Sequence, residues 1–225
     1  SAGRPLKIAS LALGATKEES PFVIVAAPGS DITSVEQLKG VEIGIANNTV
    51  IHYVTEKLLL ENGFAPEEIK LVNITQIPVR FEALMSGQIQ AATLPEPLLS
   101  LAVSKGARVI LSDTDAQQNL SHSVTVFTDE AIAEKADAIR RFFVAYNKGV
   151  EAIERDPMAY RELLAEKANL PAEIRETYRV TPYSPAQVPE KADVEAVIQW
   201  LSEKGVIQDE LTYEQIVDGS LLPEN

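Results

Sequence analysis

Two strand-to-helix turns, Asn47-Asn48-Thr49 and Leu94-Pro95-Glu96-Pro97, carry the residues best suited to ligand chemistry in this chain. At the first, a polar run ends a short apolar strand and opens a helix. Free backbone N–H groups and the helix dipole there make a seat for an anion or a carboxylate. The same residues also suit a local role, because Asn tolerates left-handed backbone and Thr or Asn caps a helix. At the second turn an acid stands between two prolines behind a buried strand. Glu96 is able to accept hydrogen bonds from an amine, an amide or a heterocyclic N–H, or to serve its helix as a first-turn carboxylate. Arg80 follows Pro78 in the first turn of another helix, where a cation is electrostatically unfavourable. That placement suggests an anionic partner, either a ligand or Glu96, against the simpler reading of a solvated surface arginine. Pro78, with Gln76-Ile77 before it, lines the same edge.

Other constellations are weaker. His52 and Glu56 are four apart on one helix, a metal-binding spacing, but no further ligand cluster accompanies them and no metal site is expected. His122 lies between Ser121 and Ser123 without a GxSxG elbow or an assignable acid, so no hydrolase triad and no catalytic residue is assigned. Neither GxGxxG nor a Walker A pattern occurs, and no cofactor is expected. Tyr146, Tyr178 and Trp200 sit at core-like spacing in the helical tail and read as packing residues.

Strand signals at 6–11, 22–27, 41–46, 71–74, 91–94 and 107–111 alternate with helical ones. Thr33 and Glu36 form a capping pattern for a short helix stopped at Gly40. A helix over 49–62 places Val50, Val54, Leu58 and Leu59 on one face and stops at Gly63. Pro78 opens a helix ending at Gly87, and Pro95 opens one closed by Gly106. Such alternation predicts an α/β fold with right-handed crossovers and a mainly parallel sheet. Ligands bind beyond the carboxyl ends of such strands, where both turns lie. After a strand at 123–128 the chain becomes helical. Asp129 caps a helix start, and 137–155 is amphipathic with Ile139, Phe142, Phe143, Tyr146 and Val150 inward. Helices follow at 158–167, 172–178, 191–204 and 213–217, with 181–189 extended.

The 225 residues carry a formal net charge of -13, a surface that repels phosphate backbones and anionic lipid, so no nucleic-acid partner is expected. A hydrophobic fraction of 45% suffices for a packed core. The absence of cysteine excludes disulfides, thiolate nucleophiles and Cys-based metal sites. The chain opens SAGRPLKIASLALG, without a charged start and apolar run, so an exported protein is represented here in mature or trimmed form.

The segments SVEQLKGVEIGI (34–45), RFEALMSGQIQAATLPEP (80–97) and ARVIL (107–111), and more weakly SVTVFTDEAI (123–132), resemble the second lobe of the periplasmic solute-binding proteins of ABC importers. The likeness is to the type 2 fold and its nitrate/sulfonate/taurine and thiamine-precursor group. It implies a periplasmic-binding-protein-like α/β lobe with a helical C-terminal region, whose usual N-terminal half-lobe has no counterpart here. The implied division is 1–27 as a first-lobe remnant and hinge strand, 28–122 as the second lobe, and 123–225 as the return crossover and helical region. The implied function is capture of a small polar or anionic solute (a sulfonate, a nitrate-like anion or a pyrimidine) by closure of two lobes, for import through a membrane permease. The implied compartment is periplasmic or extracellular, and self-association is one way to cover the missing lobe. Residues at both turns line the cleft in that family, so Asn47, Asn48, Thr49, Pro95, Glu96 and Pro97 are ligand-binding candidates; Pro78 and Arg80 join them from the same edge, and Ser123 is a weaker one. The alternatives are an enzyme of the thiamine-pyrimidine or menaquinone pathway on the same fold, and a ligand-sensing effector domain. The pyrimidine synthases carry a cysteine-rich motif that this chain lacks, and no helix-turn-helix region stands ahead of the lobe within this sequence.

Overall fold

The run FVIVA forms β2 (Phe22–Ala26), buried at every position, in a computed structural model that describes residues 5–19 and 21–223. β2 is buried throughout because it lies inside a five-stranded sheet. The other strands are β3 (Glu42–Ile45), β4 (Lys70–Asn73), β5 (Ala91–Pro95) and β6 (Arg108–Ser112), in the order β4-β3-β5-β2-β6. β3 pairs in parallel with β4 and β5, and β2 runs antiparallel to both β5 and β6. The sheet is therefore mainly parallel, with β2 reversed.

Helices α1 (Val50–Glu61), α2 (Ile77–Met85) and α3 (Leu98–Ser104) connect these strands. Ile51, Val54, Leu58 and Leu59 give α1 its buried stripe, as the 3.6-residue period requires. Gly63, at φ +79°, ends it, and Phe64 N–H returns to the Leu59 carbonyl. Val50, expected inward, is half-buried. α2 and α3 pack with Val23, Val25, Ala92, Leu94 and Ile174 in one apolar cluster. The expected Thr33–Glu36 cap is shifted by one residue. Gln37 Oε1 accepts from the Thr33 and Ser34 N–H groups, and a 3-10 turn, Val35–Leu38, forms instead of an α-helix.

The chain divides into two units. The second, described so far, comprises 21–121 and 162–179; the first comprises 5–19, 122–161 and 180–223. This differs from the expected division at 27/28 and 122/123: β2 belongs with its partners β5 and β6, and 162–179 return to the same unit.

In the first unit β1 (Leu6–Leu13) pairs antiparallel with β7 (Ser123–Thr128). Helix α4 (Asp129–Arg155) is capped by Thr128, whose Oγ1 accepts from Ala131 N–H at 3.0 Å, and leaves helical geometry at Lys135. Ile139, Phe143 and Val150 are buried on it, but Phe142, expected inward, is 47% exposed. Adjacent helical residues diverge by about 100°, so Phe142 instead sets its ring edge against Phe143, with centroids 5.2 Å apart. Beyond α5 (Arg161–Lys167), α6 (Lys191–Glu203) buries Trp200 and α7 (Tyr213–Ile216) closes the tail.

Candidate functional site

β3 ends at Ile45, and the next four residues turn the chain into α1. Asn47 N–H donates to Asn73 Oδ1 at 3.0 Å, while Ile74 N–H donates to the Ile45 carbonyl at 2.8 Å. The loops after β3 and β4 are thereby tied together at the carboxyl edge of the sheet. Thr75 adds a longer contact, its hydroxyl 3.4 Å from Asn73 Oδ1. Asn48 takes φ +58°, the left-handed geometry that Asn tolerates, and donates its N–H to His52 Nδ1 at 3.2 Å. His52 Nε2 in turn faces Glu56 Oε2 at 3.5 Å. The His52–Glu56 spacing thus holds the turn in shape.

Thr49 is the N-cap of α1, but its hydroxyl donates to the Ala46 carbonyl at 2.8 Å and does not cap the helix. α1 has no acidic residue in its first turn. The same two features recur at α2, whose N-cap Gln76 makes no side-chain cap and whose first turn holds no acid. Two helix starts with positive partial charge therefore flank one edge without being neutralised by their own side chains.

The Leu94–Pro97 turn is built differently. Pro95 ends β5 opposite Phe22, and the Glu96-Pro97 peptide is cis. Glu96 accepts from Ser100 N–H at 3.2 Å through Oε2 and from Ser100 Oγ at 2.9 Å through Oε1. Its carboxylate fills the start of α3, so the helix-serving reading describes the contacts it makes.

Arg80 corrects two expectations. It is neither a solvated surface residue nor a partner of Glu96, for it is 0% exposed and its Nε, Nη1 and Nη2 have no hydrogen-bond partner among the described residues. Its stem crosses β3 at Gly44: a Cβ added there would stand 3.2 Å from Arg80 Cγ, 3.3 Å from Cδ and 2.7 Å from Ile89 Cδ1. Burial alone pushes its pKa down to about 10, so it remains a cation at neutral pH. A buried ion without a partner costs several kcal/mol.

The structure brings Asn47, Asn48, Thr49, Pro78 and Arg80 together around the β3 and β4 ends; Pro95, Glu96 and Pro97 stand at the end of β5. Ser123 is the first residue of β7, exposed, in the first unit. Sequence reasoning missed Asn73, Thr75 and the role of His52. It also passed over Gly44, although a lone glycine inside a strand signals close approach of another group. His122, left without an acid by the sequence, faces Asp193 at 3.5 Å in the first unit. Burial lowers its pKa, and Asp193 and Glu19 partly oppose that. Beside this pair lies an apolar groove of about 290 Å³ lined by residues such as Ile8, Val194, Ile198 and Leu201.

A sequence family described as NMT1/THI5 like matches residues 2–159. The chain belongs to that family. It is 27% identical over 161 residues to a protein of Brachyspira hyodysenteriae named as an ABC transporter periplasmic binding protein, covering 65% of this chain and 46% of that one. The chain thus spans less than half of that family relative. Among solved structures, the periplasmic aliphatic sulphonate binding protein SsuA of Escherichia coli superposes with a TM-score of 0.79 at 20% identity, over 100% of this chain and 72% of its own. The desulfurization enzyme DSZB superposes with a TM-score of 0.71 at 14% identity, over 98% and 78%. The family member thus shares its fold with both binding proteins and an enzyme, the type 2 periplasmic-binding-protein fold with a helical C-terminal region. Among the described residues no helix is long and apolar enough to cross a membrane.

Proposed function

We propose that this NMT1/THI5-like chain is the substrate-binding component of an ABC importer, capturing a small polar or anionic solute in the periplasm or outside the cell for a membrane permease. The observation that carries this reading is the pair of uncapped helix starts, α1 and α2, tied together by Asn47 and Asn73 at the carboxyl edge of the second unit's sheet. In mixed and parallel α/β sheets that edge is where small ligands are taken, and helix N-termini there favour negative or electron-rich groups. Asn47, Asn48, Thr49 and Pro78 form the polar rim in this reading. The named relatives support it: one is called a periplasmic binding protein and another binds aliphatic sulphonates.

The test is titration calorimetry of the chain with methanesulfonate, taurine, nitrate and a hydroxymethylpyrimidine. At least one is expected to bind, and Thr49→Val, which keeps the side-chain shape, is expected to weaken it about tenfold through a lost polar contact. Heat from none of them, or unchanged affinity in Thr49→Val, would sink the proposal. Turnover of a bound compound would favour the enzyme reading instead.

A further inference from the structure

We propose that Arg80 is the charge receptor of this binding edge, and that the solute brings to it one oxyanion group of sulfonate or carboxylate type. The inference rests on the solute-binding reading above and adds the sign and kind of group recognised.

Four observations converge. All three guanidinium nitrogens are buried and unpartnered among the described residues, so the planar fork that matches a two-oxygen anion is left unused. Burial lowers its pKa, and no acidic side chain among the described residues offsets that. The carboxylate that sequence reasoning set opposite it, Glu96, is committed to Ser100. Finally, the surroundings keep the same sign: α1 and α2 open without side-chain caps and without first-turn acids, and the Arg80 stem passes Gly44, three residues before Asn47.

A fold selected only for stability would replace such a residue. An apolar side chain of similar length fills the layer under α2 without desolvating a charge, and the first turn of a helix disfavours a cation in any case. A neutral solute would leave the guanidinium as it is, whereas an oxyanion accepts two of its N–H groups and removes the cost of burying it. The chain's net charge of -13 gives no general attraction for anions, so recognition must be local.

The experiment compares the chain with Arg80→Met and Arg80→Lys by thermal melting and calorimetry at fixed ionic strength. The probes are sodium methanesulfonate, sodium acetate and a neutral hydroxymethylpyrimidine. Without added probe, Arg80→Met is expected to melt no lower than the parent, and about 3 °C or more higher if the burial cost is fully released. Its affinity for methanesulfonate or acetate is expected to fall by at least about tenfold. Arg80→Lys, which keeps the charge and loses the fork, is expected to fall between the two. Arg80→Met melting several degrees below the parent, or keeping its anion affinity, overturns the proposal; should it not fold, Arg80→Lys decides on anion affinity. A parent that binds the pyrimidine and neither anion overturns this inference while leaving the solute-binding reading intact. A parent that binds none of the three overturns both.

Discussion

Arg80 and Asp113 are buried to the same depth in the same unit, 0% and 1% exposed, yet their surroundings differ. Asp113, just after β6, accepts Phe22 N–H through Oδ1 at 3.0 Å. The Ser121 hydroxyl and the N–H groups of Asp113 and Thr114 also favour its charged form, but burial outweighs them and pushes its pKa up to about 6. Arg80 belongs to the first turn of α2 and lays its stem over Gly44 of β3, and its nitrogens have no hydrogen-bond partner among the described residues. The two also differ in what they can do about burial. A carboxyl group near its pKa sheds the cost by taking a proton, whereas a guanidinium at about 10 stays charged. The acid is thus a tie between the start of β2 and the end of β6, and the cation is the group that the proposal above assigns to a solute.

The largest expected effect tests whether the Arg80 stem is held as described. Gly44→Val forces a side chain into space shared with Ile89 and Arg80 and should cost about 3 kcal/mol of stability by urea denaturation. Adding Arg80→Ala should return about 1 kcal/mol of that loss. No recovery would mean that Ile89 alone fills the space above Gly44, and the contrast with Asp113 would lose its geometric basis.

Asp113 supplies the next effect. Its folded pKa of about 6 lies above the ordinary carboxyl value of 3.8, so between these values the folded state holds more protons than the unfolded chain. Its contribution is then full below about pH 4, falls as pH rises to about 6, and stays lost above, for a total of about 3 kcal/mol at roughly 1.4 kcal/mol per pH unit. Asp113→Asn keeps a carbonyl for Phe22 N–H and cannot ionise. Relative to the parent it should gain about 3 kcal/mol at pH 8 and almost nothing at pH 4. A difference that does not change with pH would show that the carboxylate is solvated and that the acid is not the buried counterpart of Arg80.

How much of this was legible in the sequence follows from the range over which each feature is decided. α1 was readable because its stripe and its stop at Gly63 are local, and so was the carboxyl-edge position of both turns. The reversal of β2 was not, since FVIVA has the same pattern in either direction and its partners β5 and β6 lie far along the chain. The Thr33–Glu36 and Ser34–Gln37 pairs share one spacing, and only backbone geometry chose between them. The burial of Arg80 was not readable, because residue type argues for the surface. Its burial depends on Gly44 and Ile89, on β3 and before β5. Asn73 was invisible for the same reason, as it meets Asn47 across 26 residues.

The smallest effect separates the two turns that the sequence weighed alike. The start of α1 lacks a side-chain cap, while that of α3 is filled by Glu96. Glu96→Ala removes a cap and leaves Ser100 N–H without its acceptor, so stability should fall by about 1 kcal/mol. Solute affinity should stay within about twofold of the parent, far less than the tenfold loss expected for Thr49→Val. Urea denaturation and calorimetry on the same two variants read both quantities. If Glu96→Ala instead lost as much affinity as Thr49→Val at unchanged stability, the two turns would be equivalent. The carboxylate would then be a solute contact whose bonds to Ser100 merely orient it, and the edge would have to accommodate a donor group beside the oxyanion.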